Sequence, residues 1–211
     1  MTSIIEDKRV PKVPSRQKSK ERFEFLLYCA EELLESGTPP EELSIPEVSK
    51  KAELPPQAVY RLFPSPAALL HGLADRHMKR LLKLYRESDL GNITSWQEGV
   101  NLCVDRCTDY YNRHPMAMEL ILGSGVSREI QIADRTNNQL LAEQAGLFLS
   151  ESTGMETPEG LLKRLELSLD IADAIWRHSY FEHRCITPFY ISESKIALIS
   201  YMEQYLPRRS Y

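Results

Sequence analysis

Between Leu43 and Leu70 the chain reads LSIPEVSKKAELPPQAVYRLFPSPAALL, and that spacing admits few folds. Two short helices cross steeply only where a small residue stands at the crossing. A tight turn must follow four residues on, and an apolar plug six residues later must hold the angle. Ser49, Glu53 and Val59 stand at those offsets. Ser44 and Glu47 form a capping box for the first helix, which ends near Ala52. Pro55-Pro56 opens the second, to about Leu62. Ile45, Val48, Leu54, Val59, Leu62 and Phe63 fill the angle between them, leaving Pro56, Gln57, Tyr60 and Arg61 on the outer face. A helix so mounted can enter a DNA major groove.

The rest of the chain reads as helix too. Only nine of 211 residues are glycine, apolar residues recur at helical spacing, and no alternating strand pattern or internal repeat is visible. A first helix is expected from about Ser19 to Ser36, stopping at Gly37, with Phe23, Leu26, Leu27, Ala30, Leu33 and Leu34 inward. Ser65-Pro66, an N-cap followed by Pro at the first helical position, starts a long helix reaching about Glu87. Thr94-x-x-Gln97 caps a helix running to Arg113, and His114-Pro115 breaks it and begins a short one. A segment from Ser127 to about Ser152 follows, and Thr157-Pro158 and Thr187-Pro188 start the last two helices. The expected fold class is all-α, a three-helix helix-turn-helix head on a body of roughly six helices. Its parts are a flexible basic arm (1–18), the helix-turn-helix domain (19–65, with the motif at about 44–63) and a helical body (66–211). The transition is expected inside the Ser65–Glu87 helix.

At this point the head resembles the TetR family of transcriptional regulators. The resemblance rests on Val59-Tyr60-Arg61-Leu62-Phe63-Pro64-Ser65 followed by Ala68-Leu69-Leu70, and covers about Arg22 to His77. It implies a homodimeric, sequence-specific DNA-binding regulator, a repressor relieved by a small ligand. The implied partners are a double-stranded DNA operator, a second copy of the chain and an unknown small-molecule effector, with no cofactor. The implied DNA-contacting set is Ser44, Lys51, Pro56, Gln57, Tyr60, Arg61 and Ser65. The chemistry fits: Tyr60 can reach a phosphate, Gln57 can pair bidentately with adenine, and Arg61 with guanine or phosphate. The amides opening the Ser65 helix offer an anion site.

Three features depart from the family's pattern. Glu53 stands where the turn usually carries Gly, Pro66 stands where Lys is frequent, and the head is acidic. From Phe23 to Met78 there are nine acidic residues against Lys50, Lys51, Arg61 and Arg76. The second reading is therefore a helical ligand-binding or interaction protein whose acidic head no longer binds DNA strongly. The arm offsets that charge, with Lys8, Arg9, Lys12, Arg16, Lys18, Lys20 and Arg22 against Glu6, Asp7 and Glu21. A mobile basic arm can follow a phosphate backbone.

A single reader helix grips too few base pairs for specificity, and two-fold pairing answers that need. As in the family, the last two helices are the expected seam. Leu165, Leu169, Ala172 and Trp176 stand on one stripe, and Leu198 and Met202 on the other. The resemblance makes residues 66–211 the ligand-binding and dimerisation domain, with an inducer pocket enclosed by the middle helices. Trp96, Cys103, Cys107, Tyr110, Tyr111 and Met118, with Trp176, are its expected lining. Their aromatic, Met and thiol character suits an apolar ligand. Cys103 and Cys107 lie one turn apart with His114 further along. A metal- or thiol-sensing regulator is the third reading, but no third or fourth ligand follows at a recognisable spacing. Burial as small apolar groups is thus the expectation, and no metal is expected.

Composition bounds the remaining classes. Net charge is −4, from 26 basic and 30 acidic residues, so nucleic-acid contact must come from a local patch. No apolar run approaches the ~20 residues of a membrane span. Residues 1–22 lack the apolar core of a secretory signal. Four cysteines make no disulfide framework, so a reduced cytoplasmic setting is expected and no membrane partner. There is no glycine-rich phosphate loop, Gly-x-Ser-x-Gly elbow or His-Glu-x-x-His, and an enzyme is not expected.

Overall fold

The computed structural model describes residues 8–87, 93, 95–153 and 160–206. Its helices are α1 (Gln17–Glu35), α2 (Ile45–Lys51), α3 (Pro56–Tyr60), α4 (Pro66–Arg86), α5 (Trp96–Arg113), α6 (Pro115–Leu122), α7 (Arg128–Thr153), α8 (Leu161–His183) and α9 (Pro188–Met202). A single 3-10 turn spans Pro40–Glu42. No strand occurs among the described residues, and the fold is all-α as expected.

The boundaries follow local chemistry. After α1, Gly37 takes φ 104, a left-handed conformation in which a Cβ would be strained. Ser44 caps α2 by accepting from the Glu47 amide while its hydroxyl donates to the Glu47 carboxylate. Ser65 accepts from the Ala68 amide at 3.2 Å at the start of α4. Ser95 caps α5 through the Glu98 amide, one residue after the expected Thr94, which lies outside the described residues. Thr157-Pro158 lies outside them as well, and the described helix α8 begins at Leu161 after Gly160, with φ 74.

The chain divides into two compact units. One comprises residues up to Arg76 with Ser127–Ile130, and the other His77–Val126 with Gln131 onward. The division thus falls inside α4, because the first turns of α4 pack onto α1. A Cβ on Gly72 would lie 2.9 Å from a Leu27 methyl and 3.1 Å from the Phe63 ring. Phe63 stacks on Phe23 with centroids 4.6 Å apart. At the end of this seam Arg76 donates to the carboxylate of Glu31, which is also mostly shielded from water, and to the Leu27 carbonyl at 3.5 Å.

The described part of the arm is held, not loose. The Lys12 amide donates to the Leu62 carbonyl at 2.8 Å, the Ser65 hydroxyl to the Lys8 carbonyl at 2.6 Å, and Arg9 pairs with Glu129 at 3.3 Å. Gln17 and Lys18 already belong to α1. Without an apolar face of its own, this segment uses main-chain hydrogen bonds to the turn after α3.

In the second unit α9 packs on α8 and α5, and α6 on α5 and α8. Trp96, Ala142, Leu149, Leu161, Leu165, Met202 and Leu206 form a buried cluster. Asn112 on α5 clasps the turn between α8 and α9: its side chain donates to the Ile186 carbonyl at 2.9 Å and accepts from the Ile186 amide at 2.8 Å.

Candidate nucleic-acid interface and ligand cavity

The head builds its outer face from the turn upward. Ser49 is buried at the crossing of α2 and α3, and its hydroxyl donates to the Leu54 carbonyl. The Leu54 amide returns a bond to the Ser49 carbonyl at 3.1 Å, closing the turn on both strands of the chain. Glu53 between them adopts φ 54, the left-handed geometry that the turn demands and that a side chain resists. Val59 is fully buried as the plug, and Leu62 and Phe63 continue its inner face.

That packing turns Pro56, Gln57, Tyr60 and Arg61 outward together, all exposed, with Tyr60 at 47% of its full accessibility. Positions three and four apart share a helix face, which groups Gln57 with Tyr60 and Arg61, and Pro56 with Tyr60. The other expected contacts are less available. Ser44 and Ser65 are half-buried, and their hydroxyls are engaged in the caps and in the Lys8 contact. Lys51 is exposed but pairs with Glu32 on α1 at 3.1 Å. Tyr28 donates to the same Glu32 carboxylate at 2.8 Å, and this bond holds the Glu32 pKa down.

In the second unit a cavity of about 80 Å³ opens between α4, α5, α7, α8 and α9. Of the residues expected in a ligand pocket, Trp96 and Cys103 line it and Tyr110, Tyr111, Met118 and Trp176 do not. Those four are buried. Tyr110 shares a hydrogen bond with His77 Nδ1 at 2.7 Å, Tyr111 meets Trp176 edge-on at 6.0 Å, and Trp176 donates to Ser194 at 3.2 Å. Cys107 lines a smaller adjoining hollow with Leu81, Leu84, Tyr85, Cys103 and Arg106.

The stripes expected at the dimer seam lie against the subunit's own interior. Leu165, Leu169, Leu198 and Met202 line the cavity, and Ala172 and Trp176 are buried within the subunit. The wide stripes on α8 and α9 face each other and α5. The apolar side chains those helices leave exposed are different ones: Leu162, Leu167, Phe181, Phe189 and Ile196.

The cavity's remaining wall escaped sequence reasoning. It comes from Leu141, Ala142, Ala145, Phe148 and Leu149 on α7, whose spacing is itself a helical stripe that the sequence displays. Gly99 on α5 makes room for that wall, since a Cβ there would lie 3.2 Å from the Phe148 ring. A second, polar hollow of about 250 Å³ is lined by Gln131, Asp134, Arg135, Asp170, Asp173 and Arg177, with Ile121. Burial and the neighbouring Asp173 push the Asp134 carboxyl up to about 8. Burial likewise pushes Asp173 up to about 6, against the bond it accepts from Asn138 at 3.2 Å.

A helix-turn-helix head is followed in the chain by an all-helical second unit that holds an apolar cavity. A family model described as a tetracyclin repressor-like C-terminal domain matches residues 94–206, more than half of the chain. The chain belongs to the TetR family of transcriptional regulators. The fold is similar to that of a TetR-family transcriptional regulator from Streptomyces coelicolor, at TM-score 0.66 and 20% identity over 88% of this chain and 99% of that one. It is also similar to a TetR transcriptional regulator from Rhodococcus sp. RHA1, at TM-score 0.67 and 19% identity over 90% and 100%. A putative TetR-family regulator from Shewanella sp. PV-4 aligns at TM-score 0.60 and 10% identity over 89% and 99%. No curated protein matches the sequence.

Proposed function

We propose that the chain is a homodimeric, sequence-specific DNA-binding repressor of the cytoplasm, without enzymatic activity, released from its operator by a small ligand. The observation that carries the reading is the shared outward face of Gln57, Tyr60 and Arg61, mounted on a turn closed by Ser49 and Leu54. Gln57 and Arg61 read base edges; Tyr60 and Pro56 seat the helix against the backbone; Lys51, Ser44 and Ser65 flank it toward phosphates.

Pairing supplies the second reader helix. The exposed Leu167, Phe181, Phe189 and Ile196 on α8 and α9 are the apolar side chains that a second copy covers. The ligand occupies the cavity of the second unit. Ligand and operator then each weaken the other's binding through a two-state change in the protein. About 80 Å³, where one water needs roughly 10–15 Å³ by the same measure, holds a compact apolar molecule.

A mobility shift with the DNA upstream of the protein's own gene, at two salt concentrations, tests the reading. Saturable, sequence-selective retardation that weakens with salt is expected. Equal affinity for that DNA and for random DNA at both salts would favour the other reading, a head whose acidic surface has lost its operator, which the Lys51–Glu32 pair supports.

A further inference from the structure

The apolar cavity contains one strong nucleophile. Its lining is uncharged, and its polar groups are few: Tyr85, Trp96, Cys103 and Ser168. The Ser168 hydroxyl is already turned back onto the Leu165 carbonyl at 2.7 Å. Recognition by hydrogen bonds therefore has little to work with, whereas Cys103 lines both the cavity and the adjoining hollow.

The surroundings of that sulfur favour its reactive form. One helical turn on, Cys107 donates a hydrogen bond to it and Arg106 adds a positive field, and these hold the Cys103 thiol below its ordinary value against the effect of burial. The same hydrogen bond, burial and the negative charges of Cys103 and Asp173 push Cys107 well up, so Cys107 keeps its proton and serves as the donor. Tyr85, which borders both hollows, is also pushed up by burial and by the two thiols and stays neutral. Among the described residues no group of three or more metal-ligating side chains forms. A thiol held below its ordinary pKa beside an apolar, uncharged space is suited to soft carbon electrophiles.

We propose that Cys103 is a covalent capture site for small, uncharged α,β-unsaturated carbonyl compounds, with Cys107 as its positioning and hydrogen-bonding partner. The Cys103 thiolate forms a bond from Sγ to the β-carbon of the alkene. The π pair of the carbon–carbon double bond moves toward the carbonyl oxygen as an enolate, and the α-carbon then takes up a proton. The proton released by the Cys103 thiol is thereby balanced, and no oxidant or reductant is consumed. The inference rests on the reading of this cavity as the effector site, and names the class of effector.

The probe is cyclohexenone, applied to the full chain, with adducts located by peptide mass mapping. Cys185, exposed on the turn between α8 and α9, is the internal control. Cys103 is expected to react about tenfold faster than Cys185 with cyclohexenone, and more slowly than Cys185 with the charged reagent iodoacetate. Cys107→Ala should slow the Cys103 reaction and move its midpoint to higher pH, while Cys107→Ser, which keeps a donor, restores most of the rate. Circular dichroism of both variants confirms that they fold. Cys103 reacting no faster than Cys185 with cyclohexenone, or an unchanged Cys103 midpoint in Cys107→Ala, overturns the proposal. Cyclohexanone, which fits but cannot be attacked in this way, tests the cavity itself. Thermal stabilisation by cyclohexanone without adduct formation by cyclohexenone defeats the covalent inference alone; neither effect defeats both.

Discussion

The indole N–H of Trp176 on α8 reaches the hydroxyl of Ser194 on α9 at 3.2 Å within one subunit, with both residues buried. This bond commits one side of each helix to the interior, and the cavity-lining Leu165, Leu198 and Met202 go with it. The outward sides carry Phe181 and Phe189, exposed at 75% and 65% of their full accessibility.

Substituting those outward residues should separate subunits without unfolding them. Phe181→Asp with Ile196→Asp is expected to weaken the dimer by two orders of magnitude or more, since each places a charge in a desolvated apolar contact. Trp176→Phe should lower stability by about 1 kcal/mol through its lost hydrogen bond and leave the oligomer intact. Sedimentation velocity reads both effects. A dimer that survives the double substitution places the seam elsewhere.

Glu53 at φ 54 is strained relative to glycine, because an L side chain in the left-handed region costs about 1–2 kcal/mol. Glycine gives back part of that through its larger unfolded-state entropy. Glu53→Gly should therefore stabilise the protein by about 0.5–1 kcal/mol and raise the melting temperature by a few degrees. A lowered melting temperature would mean that Glu53 contributes an interaction worth more than the strain.

On DNA, Gln57→Ala should cut the ratio of specific to random binding by about 1–3 kcal/mol, whereas Tyr60→Phe weakens both alike. The Lys51–Glu32 pair adds a less obvious expectation. Glu32 lies across from Lys51 at 3.1 Å on the exposed surface, so Glu32→Gln removes a carboxylate that competes with phosphate for Lys51. Binding should tighten at low salt, and the slope of log affinity against log salt should steepen by about one. Fluorescence anisotropy across a salt series measures both quantities. An unchanged slope would separate Lys51 from the DNA backbone.

Asp134 supplies a pH signature. Its folded value of about 8 stands above the ordinary 3.8, so the folded state holds a proton that the unfolded state gives up. The stabilising contribution is complete below about pH 3.8 and is lost progressively as the pH rises toward about 8. Asp134→Asn, which keeps the neutral shape, should make little difference near pH 4 and stabilise the protein on the order of 3 kcal/mol near pH 8. Parallel urea titrations at the two pH values decide it. A difference that shrinks as pH rises would refute the assignment.

Local chemistry made much of this molecule legible in its sequence. Ser44-x-x-Glu47, Ser65-Pro66 and Gly37 act within one turn of themselves, and each stands where the structure uses it. The offsets of Ser49, Glu53 and Val59 work the same way, since a steep crossing leaves little choice of side chain. Stripes were harder to assign. Leu165 and Trp176 look alike on a helical wheel whether a stripe is covered by α9 of the same chain or by a second subunit. Only packing reveals that α8 buries its broad side inward and leaves Phe181 outside. The α7 wall of the cavity was missed for a related reason. Phe148 acquires meaning only beside Gly99, a contact between residues distant in the chain. Main-chain bonds such as Lys12 to Leu62 leave no trace in side-chain identity.

On the proposed reading of the cavity lined by Trp96 as the effector site, its smallness limits how faint a signal can register. The most efficient tiny ligands gain about 1.5 kcal/mol per heavy atom. A guest of about seven such atoms therefore cannot hold on more tightly than a dissociation constant in the tens of nanomolar, and ordinary guests of that size fall orders of magnitude short. A reversible effector must consequently be abundant before it is noticed. A bond to sulfur escapes that ceiling, because accumulated exposure then replaces instantaneous concentration as the quantity being sensed.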